Sequence, residues 1–186
     1  AISAAAPAMA APGVGTSLQV GQPSRKLVKL ERQQVAGERF RTEETETLEL
    51  VLSDGTSITL APGSTLLVET YDFNRATGAG QLRVSLEQGS MRVMGGRLNA
   101  KTPIVISAGG ATMELMDGGA FVSIGEGATR AALVIGASLK INAGGQTQSI
   151  QRAGYESIVR NGAVSEPMRQ DERTAFADAN LLNPGL

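Results

Sequence analysis

The stretch "LSDGTSITLAPGS", residues 52–64, holds one short alternating phrase between two turns. Ser53-Asp54-Gly55 opens it, Ile58 and Leu60 alternate with Ser57 and Thr59, and Pro62-Gly63 closes it. Alternation with period two is the mark of a half-buried strand, because successive side chains point to opposite faces. Gly supplies the positive φ of a tight turn, and an Asp side chain bonds back to the turn backbone.

The unit recurs in both directions. Upstream, "TLELVL" places Leu48, Leu50 and Leu52 on one side; downstream, "TLLVETYDF" follows, and "QLRVSLE" sets Leu82, Val84 and Leu86 against Gln81, Arg83, Ser85 and Glu87. "MRVM", "PIVIS", "ATMEL", "AFVSI", "AALVI", "SLKIN", "TQSIQ" and "YESIV" carry it on, separated by Gly-containing corners about every 8–10 residues. The corners account for 23 glycines in 186 residues, well above the usual ~7%. The expectation is an all-β single domain of about a dozen short strands over residues 25–165, β-solenoid-like or sandwich. Its expected core is Leu48, Leu50, Ile58, Leu60, Leu82, Val84, Leu86, Val93, Ile104, Ile106, Val122, Ile124, Leu133, Ile135, Leu139 and Ile141.

Two ends flank this region. Residues 1–24 form an Ala/Pro/Gly-rich extended leader, "AISAAAPAMAAPGVG", and the stretch "LQVGQPSRKLVKLERQQVAGERFRT", with Leu27, Val28 and Leu30 set in charge, then Val35 and a break at Gly37, reads as a short helix or two edge strands. Residues 166–186 read as a short helical tail outside the β-core, with Pro167 as helix start, an apolar stripe of Met168, Ala175, Phe176 and Leu181, and Asn183-Pro184-Gly185 as stop.

Composition narrows the chemistry. The sequence has no Cys and no His, which removes thiolate and imidazole nucleophiles, bases and metal ligands. Seventeen basic against eighteen acidic residues leave a net charge of -1, so nucleic acid and anionic membrane surfaces are not expected partners. No apolar run approaches the ~20 residues of a membrane span. Asp54 is one carboxylate where a calcium loop needs several, which makes it a turn-former. Glu43, Glu44, Glu46 and Glu49 read as a solvated strand face. Glu114 with Asp117, or Asp72 with Glu69, would be glycosidase-type pairs, but the aromatic platforms are missing: two Tyr, four Phe, no Trp. "ATGAGQ" and "SAGGAT" precede no helix pattern and are corners rather than phosphate cradles. Arg25, Lys26, Lys29 and Arg32 make a small basic patch, read as a solvated face. The expectation is no enzyme activity, no metal and no cofactor.

The stretch from about 35 to 160 resembles the FecR domain family. The family's "L-x-D-G-s-x-h-x-L-x-x-x-S-x-h" block, h being apolar, corresponds to Leu52, Asp54, Gly55, Thr56, Ile58, Leu60, Ser64 and Leu66. Its "L-x-L-x-x-G-x-h-x-V" block is matched by Leu86, Gly89, Met91 and Val93, and "AKTPIVISAGGATMEL" is similar to its "P-h-x-V-x-T-x-x-G-x" segment. In "ELMDGGAFVSI" the chain departs from the family's Gly-Thr pair. The resemblance implies an all-β domain beyond the inner membrane. In the best-known members it relays a signal from an outer-membrane transporter through a membrane helix to an anti-sigma segment; neither of the latter two is expected here.

With Ala8-Met9-Ala10 similar to a signal-peptidase site and no initiator Met, the chain reads as exported, cleaved upstream of Ala1, and periplasmic or at the cell surface of a Gram-negative bacterium. Two roles follow. One is a structural subunit of an envelope or extracellular assembly that self-associates into a homo-oligomer through Ala4, Ala5, Ala6, Leu18, Phe176, Leu181 and Leu182. The other is a module that recognises another envelope protein. Asp54, Gly55 and Gly89 are structural turn residues in either.

Overall fold

The computed structural model describes residues 23–30 and 35–183. Fourteen strands form one curled sheet, and one short helix follows them. Its spine is a long antiparallel hairpin, β9 (Ala111–Gly125) with β10 (Ala128–Ala143). β9's outer edge serves two neighbours in turn: residues 111–115 pair with β8 (Ile104–Ala108) and residues 119–123 with β7 (Ser90–Met94). β10's outer edge divides likewise between β12 (Tyr155–Arg160) and β11 (Gln146–Ile150).

Two arms therefore leave β9. One runs through β8, β6 (Gly80–Gln88) and β5 (Thr65–Phe73) to β2 (Arg39–Arg41). The other runs through β7, β4 (Ser57–Leu60) and β3 (Glu46–Leu52) to β1 (Ser24–Leu30). Pairing is antiparallel except at β1–β3 and β6–β8. Side chains from both arms, among them Leu50, Ile58, Val84 and Ile106, share one continuous buried cluster with Leu139 and Ile150 of the hairpin side. A twisted sheet this long must curl to bury its apolar face. The segment left open between helix and strand is thus, over 24–30, an edge strand.

The hairpin crosses between arms at a pinch. At Gly118 a Cβ would lie 2.2 Å from the Ile135 carbonyl oxygen, and at Gly136, with φ 109°, 2.1 Å from that of Asp117. Only two backbones without side chains can approach so closely. The register shifts by one beside it, leaving Val134 unmatched between Leu133 and Ile135. The extra residue lets β10 keep Leu133 and Leu139 on the core side while β9 switches its buried positions from Met113 and Leu115 to Ala120 and Val122. Two positions of the expected core are corrected: Ile135, at this crossing, is 54% exposed, and Ile124, near the hairpin's turn, is only partly buried, while the other fourteen are buried.

The tail also differs from expectation. Residues 166–169 do not begin a helix; β14 (Met168–Arg169) adds to β12, as β13 (Ala163–Val164) does. The helix α1 (Glu172–Leu182) starts only after Asp171, whose carboxylate accepts the Thr174 amide at 2.8 Å as an N-cap. The expected stripe of Met168, Ala175, Phe176 and Leu181 is exposed; the buried positions of α1 are Asp178 and Leu182, one turn apart.

Candidate functional site

The motif residues come together, and they hold the fold. Asp54, 2% exposed, accepts from the Thr56 amide (3.1 Å), the Thr56 hydroxyl (2.7 Å), the Tyr71 hydroxyl (3.2 Å) and the Leu98 amide (3.4 Å). Burial pushes the Tyr71 hydroxyl above the ordinary phenol range, so it stays protonated and donates. Thr56 passes the chain of bonds on by accepting the Gly96 amide at 3.0 Å. Asn99 continues it, donating to the Leu115 carbonyl at 2.7 Å and accepting the Gly118 amide at 2.9 Å. One network thus joins the β3–β4 turn, the β7–β8 connection and the pinch.

A second seam lies where β4 crosses to β5 and β6 to β7. Ser64 Oγ accepts the Ser90 amide at 3.0 Å and donates to the Ser90 carbonyl at 3.1 Å. A Cβ at Gly89, where φ is 81°, would stand 2.3 Å from that Oγ. Glycine is required there by the close approach. Gly55, at φ 88°, is the left-handed corner of the first turn.

The suspected chemical carboxylates are dispersed. Glu114 faces Lys140 across the hairpin at 3.8 Å, and Asp117 sits at the pinch with φ 43°. Glu69 is the unmatched residue of a bulge in β5, and Asp72 is exposed opposite Gln81. The glutamate cluster is not a uniform solvated face. Glu46 is buried and ion-paired with Lys26, whose ammonium holds the carboxyl below its usual range, while Glu49 binds Arg25 at 2.6 Å. Two members of the basic patch thus tie β1 to β3. Among the described residues, no three acidic side chains gather as a metal site would require, and no helix is long and apolar enough to cross a membrane.

The site that sequence reasoning missed lies on the outer face of the sheet's centre. Phe121 of β9 and Ala132 of β10 are buried on the side away from the main core, in a second cluster with Ala61 and Leu182. Leu182, expected at an interface, is 1% exposed and packs against its own sheet. Arg130 lies over the Phe121 ring at 5.1 Å and grips Asp178 of α1 with two bonds, 2.8 and 2.5 Å, while also reaching Glu156 at 3.1 Å. Gln170 donates to Asp178 at 2.7 Å. The Asp178 carboxylate, and Glu156 after it, hold the guanidinium above its ordinary value against the opposing effect of burial.

The fit is incomplete. A half-open cleft of about 250 Å³ remains beside α1, lined by Phe121, Leu133, Val134, Ala175, Ala179 and Leu182, with Arg92 at its wall. Arg92 Nε is buried and has no hydrogen-bond partner among the described residues. Around this region stand exposed Val134, Ile135, Met168, Phe176 and Leu181. One signal was available: residues 120–122 and 131–135 are unbroken apolar runs, the pattern of strands covered on both faces. Ala4, Ala5, Ala6 and Leu18 lie outside the described residues.

Comparison with known proteins matches this architecture. Two crystal structures of a candidate anti-sigma factor from Parabacteroides distasonis ATCC 8503 superpose on the chain with a TM-score of 0.57, at 15% and 14% identity. Each alignment covers 75% of this chain and 63% of the other, so the chain spans under two thirds of those structures' length. No curated protein matches. The FecR protein family model matches residues 38–139, more than half of the sequence and the whole region of the three motif blocks, the seam and the pinch. The chain belongs to the FecR protein family.

Proposed function

We propose that the chain is a non-enzymatic, exported recognition module that binds another protein of the Gram-negative cell envelope. The observation that carries this reading is where polar and apolar groups are committed. Asp54, Thr56, Tyr71, Asn99 and Ser64 are bonded inside the chain, whereas large apolar side chains are exposed around β10, β14 and α1. Catalysis needs polar groups aimed at a substrate; protein recognition needs accessible apolar anchors in an ordered frame. The absence of His and Cys from the sequence supports the same reading. So does the candidate anti-sigma assignment of the structural neighbours.

Self-association into a structural assembly is the competing role, because exposed Phe176 and Leu181 serve a second copy as well as a foreign chain. Photo-crosslinking in the envelope separates the two. A reactive residue at position 135 or 176 is expected to capture one distinct envelope protein, and one at outward-facing Arg83 is not. Capture of copies alone would favour the assembly role; no capture from either position would end the recognition reading.

A further inference from the structure

α1 has only eleven residues, too short to persist in water without tertiary support. That support consists of Leu182 in the Phe121–Ala132–Ala61 cluster and the Arg130–Asp178 grip. Beside these anchors the helix turns only alanines, Ala175 and Ala179, both exposed, to the groove, and a half-open cleft of about 250 Å³ lies there. The cleft opens to solvent, so its apolar walls stay in contact with water that a larger side chain would displace, and Arg92 Nε, buried without an acceptor among the described residues, costs free energy. The groove therefore has the length for a helix, two cations toward its polar side (Arg130 and Arg92), and space that α1 does not fill.

We infer that the sheet face under α1 is a helix-binding groove in which α1 is a displaceable resident, and that its intended occupant is an amphipathic helix of a partner protein. That helix is acidic at the position of Asp178, apolar at that of Leu182, and bulkier than alanine at those of Ala175 and Ala179. Larger side chains one turn apart fill the cleft and cover its apolar walls. Until displaced, α1 shields Phe121 and Ala132 from solvent and from unspecific partners. Displacement lowers the partner's apparent affinity by the fraction of chains whose groove is open. This rests on the recognition reading above and assigns that role a surface.

The test uses the full chain and a labelled peptide copying residues 170–183 with Ala175→Leu and Ala179→Leu. Binding to wild type is expected to raise hydrogen exchange in α1 and leave the sheet unchanged. The full-chain variant Asp178→Asn, which loosens the resident helix, is expected to bind the peptide about tenfold tighter or more, following the larger open fraction. A peptide that also carries Asp178→Lys places a cation against Arg130 and is expected not to bind. Equal affinity for wild type and Asp178→Asn, binding that leaves α1 protected, or tight binding of the Lys peptide would each overturn the groove. Should Asp178→Asn not fold, the exchange experiment on wild type decides alone. Dimerisation of the variant that excludes the peptide would give the groove to a second copy and also overturn it. Failure here leaves the crosslink from position 135, on β10 and not on α1, as an independent measure of recognition.

Discussion

Asp54 and Asp178 are both buried carboxylates, yet they sit in regions of different character. Asp54 is enclosed by donors that come from the turn itself, from β5 and from the β7–β8 connection, so its removal is felt by three parts of the sheet. Asp178 joins one short helix to one arginine and one glutamine, beside a half-open cleft and an Arg92 Nε that has no partner among the described residues. The first region is saturated within the chain; the second is not. The motif that reveals the family is accordingly a device for folding, and recognition belongs where packing is incomplete. Sub-global opening is expected at the second region and not at the first.

The contrast breaks most readily at the pinch. Gly118→Ala or Gly136→Ala forces a Cβ to about 2 Å from a carbonyl oxygen, and is expected to cost more than about 4 kcal/mol or to prevent folding. A soluble variant with an unchanged melting temperature would mean the two backbones are not in contact. Next, Leu60→Ala in the shared core is expected to cost about 2–4 kcal/mol through lost transfer and a new cavity, and Asp54→Ala about 2–3 kcal/mol because it leaves buried donors unmade. Both should appear in denaturant titration as global losses. Leu182→Ala removes a side chain just as buried, yet its effect is expected to be local: α1 amides lose protection while global stability falls by under about 1 kcal/mol. A global loss equal to that of Leu60→Ala would erase the difference between the regions.

Acid sharpens the same line. The Thr174 amide, its first cause, holds the Asp171 carboxyl below the ordinary Asp value. A depressed folded value contributes stability that is present above the unfolded value, about 3.9, and lost as pH falls through the folded one. The protection of the α1 amides, taken relative to their intrinsic exchange rate at each pH, is thus expected to fall as pH drops below about 4. Ile135→Ser, on the sheet and 54% exposed, is expected to change stability by no more than about 0.5 kcal/mol while reducing capture of the partner.

Strand alternation made the architecture readable. Leu82, Val84 and Leu86 are buried as their spacing demands, and Asp54-Gly55 forms the turn its residue types favour. What escaped has physical reasons. The close approach of Gly118 and Gly136 leaves no mark in the alternation, so Ile135 shares the spacing of buried Leu133 and Leu139 and yet stands outside at the crossing. Arg130 and Asp178 meet across 48 residues, a distance no local pattern spans. The helix start was visible after all, in Asp171 followed three residues later by Thr174, but Pro167 gave a stronger conventional signal. Asp178 in the middle of α1 looks like a solvated face until the sheet's arginine is placed beneath it.

Native-state hydrogen exchange on the full chain tests the distinction between the regions most directly. The amides of Thr56, Gly96 and Gly118, donors in the motif network, are expected to exchange only through global unfolding. Those of α1 are expected to exchange through an opening several kcal/mol cheaper, with a smaller denaturant dependence. If α1 and the motif network share one opening free energy and one denaturant slope, the helix is an integral part of the fold and not a displaceable cover.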